Sequence, residues 1–287
     1  MMRVLLTSLE DTASRNIRDR LLELTSWDEV GTFQGNPVRM SGDLLLYEKP
    51  GLHLYFEDVD REISDHISSE LGMDPSSDPK RPLDLLIFLS KHRSKKDIRS
   101  LTVHPPGNYL SADYGGEPGH LPPSAPREMT SALRSLYRSK KELDLKDRTT
   151  FEVTHHGPRI SSPSFFIEIG SSEERWHLPE LGKAIAISLL TRDEVSEPLP
   201  VSIGVGGGHY APRFTDRAMR QKFDFGHMVP DYILSSAENI PECIRMAKDS
   251  TPGSEYIFLH RSKRNKDLLR EVEATSDHLG LKIANPE

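Results

Sequence analysis

The sequence predicts an α/β fold built on a mixed, largely parallel sheet. Short alternating or apolar runs recur along the chain, separated by stretches with helical spacing. Leu83–Leu89 is almost continuously apolar, as in a strand buried on both faces. Strand and helix patterns alternate instead of segregating, which lays helices against the faces of a sheet.

Taken in order, residues 3–8 read as the first strand. Asp11 or Thr12 caps a helix to about Leu24, with Ile17, Leu21, Leu22 and Leu24 on its apolar side. Asp43–Glu48 and Leu52–Glu57 read as two strands around a Pro50-Gly51 turn. Asp60–Leu71 is helical, with Ile63, Ile67 and Leu71 spaced by four, and a Pro/Ser/Asp linker covers 74–82. After Leu83–Leu89 come Ser90-Lys91-His92-Arg93-Ser94, then a short strand Ser100–Val103 that ends at His104. Residues 105–126 are rich in Pro and Gly, and a loop of that length inside a domain is usually functional or mobile. A helix starts near Pro126, with Met129, Leu133 and Leu136 inward and Arg134, Arg138, Lys140 and Lys141 outward. Phe151-Glu152-Val153-Thr154-His155-His156-Gly157-Pro158 is a β-type run closed by two histidines and a turn. Ser164–Ile169 is a strand with Glu168 set among apolar neighbours, and Pro179 opens a helix to about Leu190. Pro200–Val205 is a strand running into Gly206-Gly207-Gly208-His209-Tyr210, and Phe223–Pro230 carries a loop histidine, His227. The chain ends in a helix from Pro241 to about Lys248, a strand Glu255–Leu259, a helix Lys263–Leu279 and a strand Leu281–Ala284.

The 287 residues suit one large or two modest domains. The reading is one compact α/β unit over 1–287, and a division into two subdomains would fall near 105–126. A net charge of −7 argues against a protein that coats nucleic acid, and leaves room for a local basic patch. With one cysteine there is no disulfide framework and no cysteine-rich zinc site, and Cys243 is spaced as a small core residue with Ile240, Ile244 and Ala247. No apolar run approaches the ~20 residues that span a bilayer, and the N-terminal run is too short for a signal peptide. The expectation is a cytoplasmic protein with no membrane contact.

The chemistry gathers at strand ends. His92, His104, His155 with His156, and His209 each follow a predicted strand. If those strands are parallel neighbours, the imidazoles line one rim of the sheet, where ligands of open α/β sheets bind. Imidazole suits zinc and related divalent ions, and Glu168 is the available carboxylate, as ligand or as general base. A metal-free acid–base site fits the same residues. No H-E-x-x-H, G-x-S-x-G or Walker sequence is present, and His209 stands where a dinucleotide fingerprint needs its third glycine. Gly206, Gly207 and Gly208 read as a backbone passage that lets a bulky polar ligand approach. Basic clusters lie at Lys91–Arg99, Arg134–Lys141 and Arg261–Lys266, and the first abuts His92, where it could seat phosphates. His53, His66, His120, His177 and His278 read as surface or packing residues, and His260 as a phosphate contact at most.

Ser90-Lys-His-Arg-Ser94, Leu101-Thr-Val-His104 with Gly107-Asn108, Thr154-His-His-Gly-Pro158, Pro163–Glu174, Gly204–Pro212 and Phe225-Gly-His227 together resemble the metal-dependent D-aminoacyl-tRNA deacylases of archaea, which have plant relatives. Gly35-Asn36-Pro37-Val38 and Asp60-Arg-Glu62 also fit. The resemblance runs nearly end to end, weakening in 109–126 and beyond about 235. It implies a three-layer, phosphorylase- and hydrolase-like fold, with a mixed sheet, helices on both faces and a smaller α/β subdomain. It implies hydrolysis of the ester joining a D-amino acid to the terminal adenosine of tRNA, with two zinc ions per subunit and a zinc-activated water. The family histidines fall on His92, His104, His155, His156, His209 and His227, with Glu168 as the acid. His155, His156, Glu168 and His209 are the candidates for catalysis. Gly206–Gly208, Tyr210, Lys91 and Arg93 are the expected substrate contacts. The partner is a tRNA carrying a D-amino acid, and the chain is a monomer or small homo-oligomer. A small-molecule metallohydrolase of carboxypeptidase or deacetylase type, a peptidyl-tRNA hydrolase and a non-catalytic tRNA- or nucleotide-binding module are the competing readings.

Overall fold

A computed structural model describes residues 1–94, 97–191, 197–236, 239–260 and 266–284. The first sheet contains β1 (Arg3–Ser8), β2 (Asp28–Phe33), β3 (Asn36–Ser41), β4 (Leu44–Lys49), β5 (Leu86–Arg93), β6 (Ser100–His104), β7 (Arg148–Phe151) and β8 (Ser164–Ser171). Their order is β2-β3-β4-β1-β5-β8-β6-β7. β4, β1, β5 and β8 run parallel, whereas β6 is antiparallel to β8 and parallel to β7. The helices of this half are α1 (Thr12–Leu24), α2 (Val59–Ser69), α3 (Pro126–Glu142), the short α4 (Glu173–Trp176) and α5 (Pro179–Leu190). Asp11 caps α1 by accepting the Ser14 N–H at 3.1 Å.

Side chains along a strand alternate between faces, and that alternation sorts the core. Leu5, Leu44, Leu46, Ile87, Leu89, Phe165 and Ile167 pack with residues of α1, α3 and α5. Val4, Leu6, Leu45, Tyr47, Leu86, Phe88 and Phe166 point the other way, onto Val59, Ile63 and Ile67 of α2. Helices thus cover both faces, in the three-layer arrangement expected.

The second sheet has the order β10-β9-β11-β12 and is all parallel, with β9 (Val201–Val205), β10 (Asp224–Val229), β11 (Ser254–Leu259) and β12 (Lys282–Ala284). Around it lie α6 (Pro212–Met219), α7 (Asp231–Ser236), α8 (Ile240–Asp249) and α9 (Lys266–His278). Phe225, Met228 and Phe258 join the main core, while Ile203, Val205, Ile257 and Leu259 pack with Ile244, Ala247 and Val272. Cys243 is buried in that second cluster, as its spacing predicted.

Three local expectations are corrected. Leu52–Glu57 is not a strand: His53–Tyr55 forms a 3₁₀ turn, and His53 is buried with its Nε2 3.0 Å from the Leu6 carbonyl. The partner of β4 is instead β3, in a hairpin with β2 closed by Gln34 and Gly35, both at positive φ. Arg134 does not face outward. It is buried and reaches Asp224 at 3.2 Å, tying α3 to β10. The sequence shows a basic residue on a basic helix face and cannot show that the second sheet covers it. Of the basic clusters, residues 95–96 and 261–265 lie outside the described residues.

Candidate active site

The same alternation builds the site. Phe88, Ser90 and His92 of β5, Phe166 and Glu168 of β8, and Thr102 and His104 of β6 share one face, with Ser90, Glu168 and Thr102 in register. This is the α2 face, past the reach of α2, where apolar residues give way to polar ones. The histidines therefore do not line a rim of parallel strand ends. His92 lies within β5, and β6 runs opposite to β5, so His104 comes to the cluster from the other direction.

The remaining groups arrive on connecting segments. After β7 the chain continues extended, and the Glu152 N–H donates to the Val103 carbonyl at 3.0 Å. Val153 N–H donates to the His209 carbonyl and Ala211 N–H to that of Phe151, so 151–153 and 209–211 are laced together. Those bonds bring the loop after β9 onto the first sheet and carry His209 with it. The chain then turns at His156, φ 34°, and Gly157, φ 109°. A non-glycine residue held in the left-handed region is uncommon and marks a backbone constrained by its surroundings. A Cβ on Gly157 would stand 2.7 Å from Pro106 Cβ and 3.2 Å from Phe166.

Glu152 is the centre of the constellation. Its carboxylate lies 3.2 Å from His92 Nδ1, 3.4 Å from His155 Nε2 and 3.0 Å from His209 Nε2. Glu168 lies 3.7 Å from His92 Nδ1 and 3.6 Å from His104 Nε2. His155 packs against His104, His156 and His209, with ring centroids at 4.2, 4.1 and 4.6 Å. Both carboxylates are buried. Burial raises the pKa of Glu152, but His209 and His92 more than reverse this and hold it well below the usual carboxylate range. Burial lowers the pKa of His92, and Glu152 and Glu168 restore it to above the ordinary value. His104 behaves the same way, through Glu168. His155 and His156 are pushed well below, by burial and by the imidazoles around them.

Outer contacts orient the rings. Tyr210 Oη stands 3.1 Å from His92 Nε2, and the Trp176 indole N–H donates to the His92 carbonyl at 3.2 Å. His155 Nδ1 lies 2.7 Å from the Val153 carbonyl and His104 Nδ1 3.2 Å from that of Pro105, so each presents Nε2 inward. Tyr210, expected as a substrate contact, thus holds His92 in place. Lys91 and Arg93 both lie over the Trp176 ring, each 5.2 Å from its centroid, and both are among the residues lining a cavity of about 500 Å³ that His92, His155, Glu168 and His209 also line.

Two expectations change here. His227 is in β10, not in a loop, at the point where the β9–β10 register shifts. Its Nε2 is 2.8 Å from the Pro122 carbonyl and its Nδ1 3.0 Å from Thr154 Oγ1, and burial pulls its pKa down to about 4. With both nitrogens occupied it is no ligand. It fastens the 105–126 loop and the Thr154 segment to the second sheet. Gly206, expected among the substrate contacts, has its N–H taken up by the Val229 carbonyl at 2.7 Å. Sequence reasoning missed Glu152. Its signal was a carboxylate between Phe151 and Val153, the same cue that picked out Glu168.

The profile of the family described as D-aminoacyl-tRNA deacylase matches residues 80–284. A protein of that name from Methanosarcina mazei is 35% identical over 287 residues, covering 97% of this chain and 90% of its own. One from Thermococcus onnurineus is 37% identical over 286 residues, covering 98% and 99%. A solved structure described as a conserved protein of unknown function, AF0625, superposes with a TM-score of 0.84 at 29% identity, over 98% of this chain and 94% of that one. No helix among the described residues is long and apolar enough to cross a membrane. Matched by the family profile over most of its length, and by relatives over nearly all of it, the chain belongs to the D-aminoacyl-tRNA deacylase family.

Proposed function

We propose that the protein hydrolyses the ester between a D-amino acid and the 3′-terminal adenosine of tRNA, with zinc held at the Glu152–Glu168 cluster. One observation carries this reading. Six buried atoms, His104 Nε2, His156 Nδ1, His209 Nε2, both Glu152 oxygens and Glu168 Oε2, have no aligned hydrogen-bond partner. Buried polar groups left this way are costly, and several converging on one space call for a cation. The donor set, imidazole nitrogen and carboxylate oxygen without thiolate, suits zinc.

His92, Glu152 and His209 would hold one ion, and His104, His155 and His156 a second, each set with its donor atoms within 4.8 Å of one another. Bound there, zinc supplies Lewis acidity and a water with a pKa lowered to about 7. The chain supplies the rest. Glu168 is among the residues lining the cavity, and its carboxylate takes the proton released as water attacks the ester carbonyl. The same carboxylate returns that proton to the leaving ribose oxygen, so one water yields the free D-amino acid and the tRNA hydroxyl. Lys91 and Arg93, which line the same cavity, hold the phosphates of the terminal nucleotides.

The test compares D- and L-aminoacyl-tRNA carrying the same amino acid. The D-ester should be cleaved at least ~100-fold faster, as expected of a pocket whose polar groups are left unpaired by the wrong isomer. KM for the tRNA should rise steeply with added salt, because phosphate contacts release counterions. Equal rates on both isomers overturn the reading. A salt-independent KM points instead to a small-molecule hydrolase.

A further inference from the structure

A second cavity, of about 470 Å³, opens on the other side of the same histidines. His155, His156 and Tyr114 line both cavities, so they form a shared wall. The two compartments differ in chemistry. The first has Lys91 and Arg93 among its lining residues, beside the carboxylates of Asp11 and Glu168. The second has no lysine or arginine among the described residues, and Asp113 is its carboxylate. Its body is apolar and aromatic: Tyr109, Leu110, Tyr232 and Ile233. Tyr109 is 5% exposed, and its hydroxyl is buried beside Thr154, so it offers its ring to the cavity. Thr154, beside it, has its own hydroxyl engaged with His227 and Met228.

An aminoacyl ester is chemically lopsided in the same way. One half is an anionic nucleotide, and the other is an ammonium group and a side chain, with the scissile bond between them. We infer that the cavity of Tyr109, Leu110, Tyr232 and Ile233 receives the side chain of the D-amino acid, and that it favours large apolar and aromatic side chains over small ones. The inference rests on the deacylase reading and adds which half of the substrate lies on which side of the histidines. A lysine-free, arginine-free compartment suits the half that bears a positive charge, and its volume falls in the range of ligand pockets. Apolar walls discriminate by side-chain size, through the methylene groups they bury.

The experiment measures kcat/KM for D-phenylalanyl-tRNA and D-alanyl-tRNA with wild-type protein, Ile233→Trp and Leu110→Trp. Leu110 is exposed, so a tryptophan there leaves the core intact and still narrows the cavity. Wild-type protein should favour the D-phenylalanyl ester by at least ~10-fold, and each tryptophan should cut that ratio by at least ~10-fold, mostly through KM for the larger substrate. A ratio within twofold of wild type in both variants overturns the assignment, as does a wild-type preference for the D-alanyl ester. Wild-type protein that cleaves neither ester defeats the deacylase reading itself, and with it this one. That failure is distinct from an unchanged ratio, because it appears before any substitution is made.

Discussion

Glu152→Gln is expected to lower kcat for D-aminoacyl-tRNA hydrolysis by at least ~10²–10³-fold, and to reduce the zinc retained by the purified protein. The carboxylate touches His92, His155 and His209 within 3.4 Å, and its charge keeps the pKa of His92 above the ordinary value. Glutamine preserves the volume and removes the charge, so packing is retained while the groups that Glu152 organises lose their common anion. It also points an amide N–H₂, a donor, at imidazole nitrogens that would themselves bind metal. Activity, metal content and far-UV circular dichroism measured on the same preparation separate the possibilities. Lost activity with retained metal would make Glu152 a positioning residue. Full activity would remove it from the centre.

Gly157→Ala is expected to cost about 2–4 kcal/mol of stability and at least ~10-fold in activity. The cost has two parts. At φ 109° an alanine is strained, and its Cβ meets Pro106 at 2.7 Å and Phe166 at 3.2 Å. Phe166 stacks on His104, with ring planes 1° apart and centroids at 5.0 Å, so a shift of the phenyl ring moves a candidate ligand. Gly119→Ala is the control in a neighbouring turn. It also has positive φ, 67°, but its added Cβ meets nothing within 4 Å. It should cost only the strain of the dihedral, roughly 1–2 kcal/mol, and leave hydrolysis within twofold. Thermal unfolding and initial rates on the two variants make the comparison, and equal effects would mean that the contact with Phe166 does not matter.

Much of the site is legible in the sequence, for identifiable reasons. Histidines placed beside strand patterns, with no apolar face to fill, pointed to His92, His104, His155, His156 and His209, and the structure brings these together with Glu168. The way they meet was not legible. Direction of a strand is invisible in an alternating pattern, so a mixed sheet was expected without its showing that β6 and β7 are strands that run against β5 and β8. Local pattern also cannot say that the Val153–His209 and Ala211–Phe151 hydrogen bonds would join two sheets. Glu152 was passed over because a carboxylate in a β run reads as solvent-facing until the opposite face proves to be covered. His227 was mistaken for a loop residue because Gly226 looks like a strand breaker. In the fold it marks an irregularity inside β10. The β2–β3 hairpin was missed because proline is disfavoured inside a strand, although Pro37 pairs with Thr32 in the hairpin around Gly35.

The buried carboxylates and imidazoles should behave as a metal-dependent hydrolytic centre. The most direct test is to strip the protein with chelator, verify metal content by mass spectrometry, and follow D-aminoacyl-tRNA hydrolysis before and after adding zinc. The metal-free protein should lose at least ~100-fold in rate and regain it as zinc approaches two equivalents per chain. A verified metal-free protein that hydrolyses the D-ester at its original rate would mean that these groups act without metal.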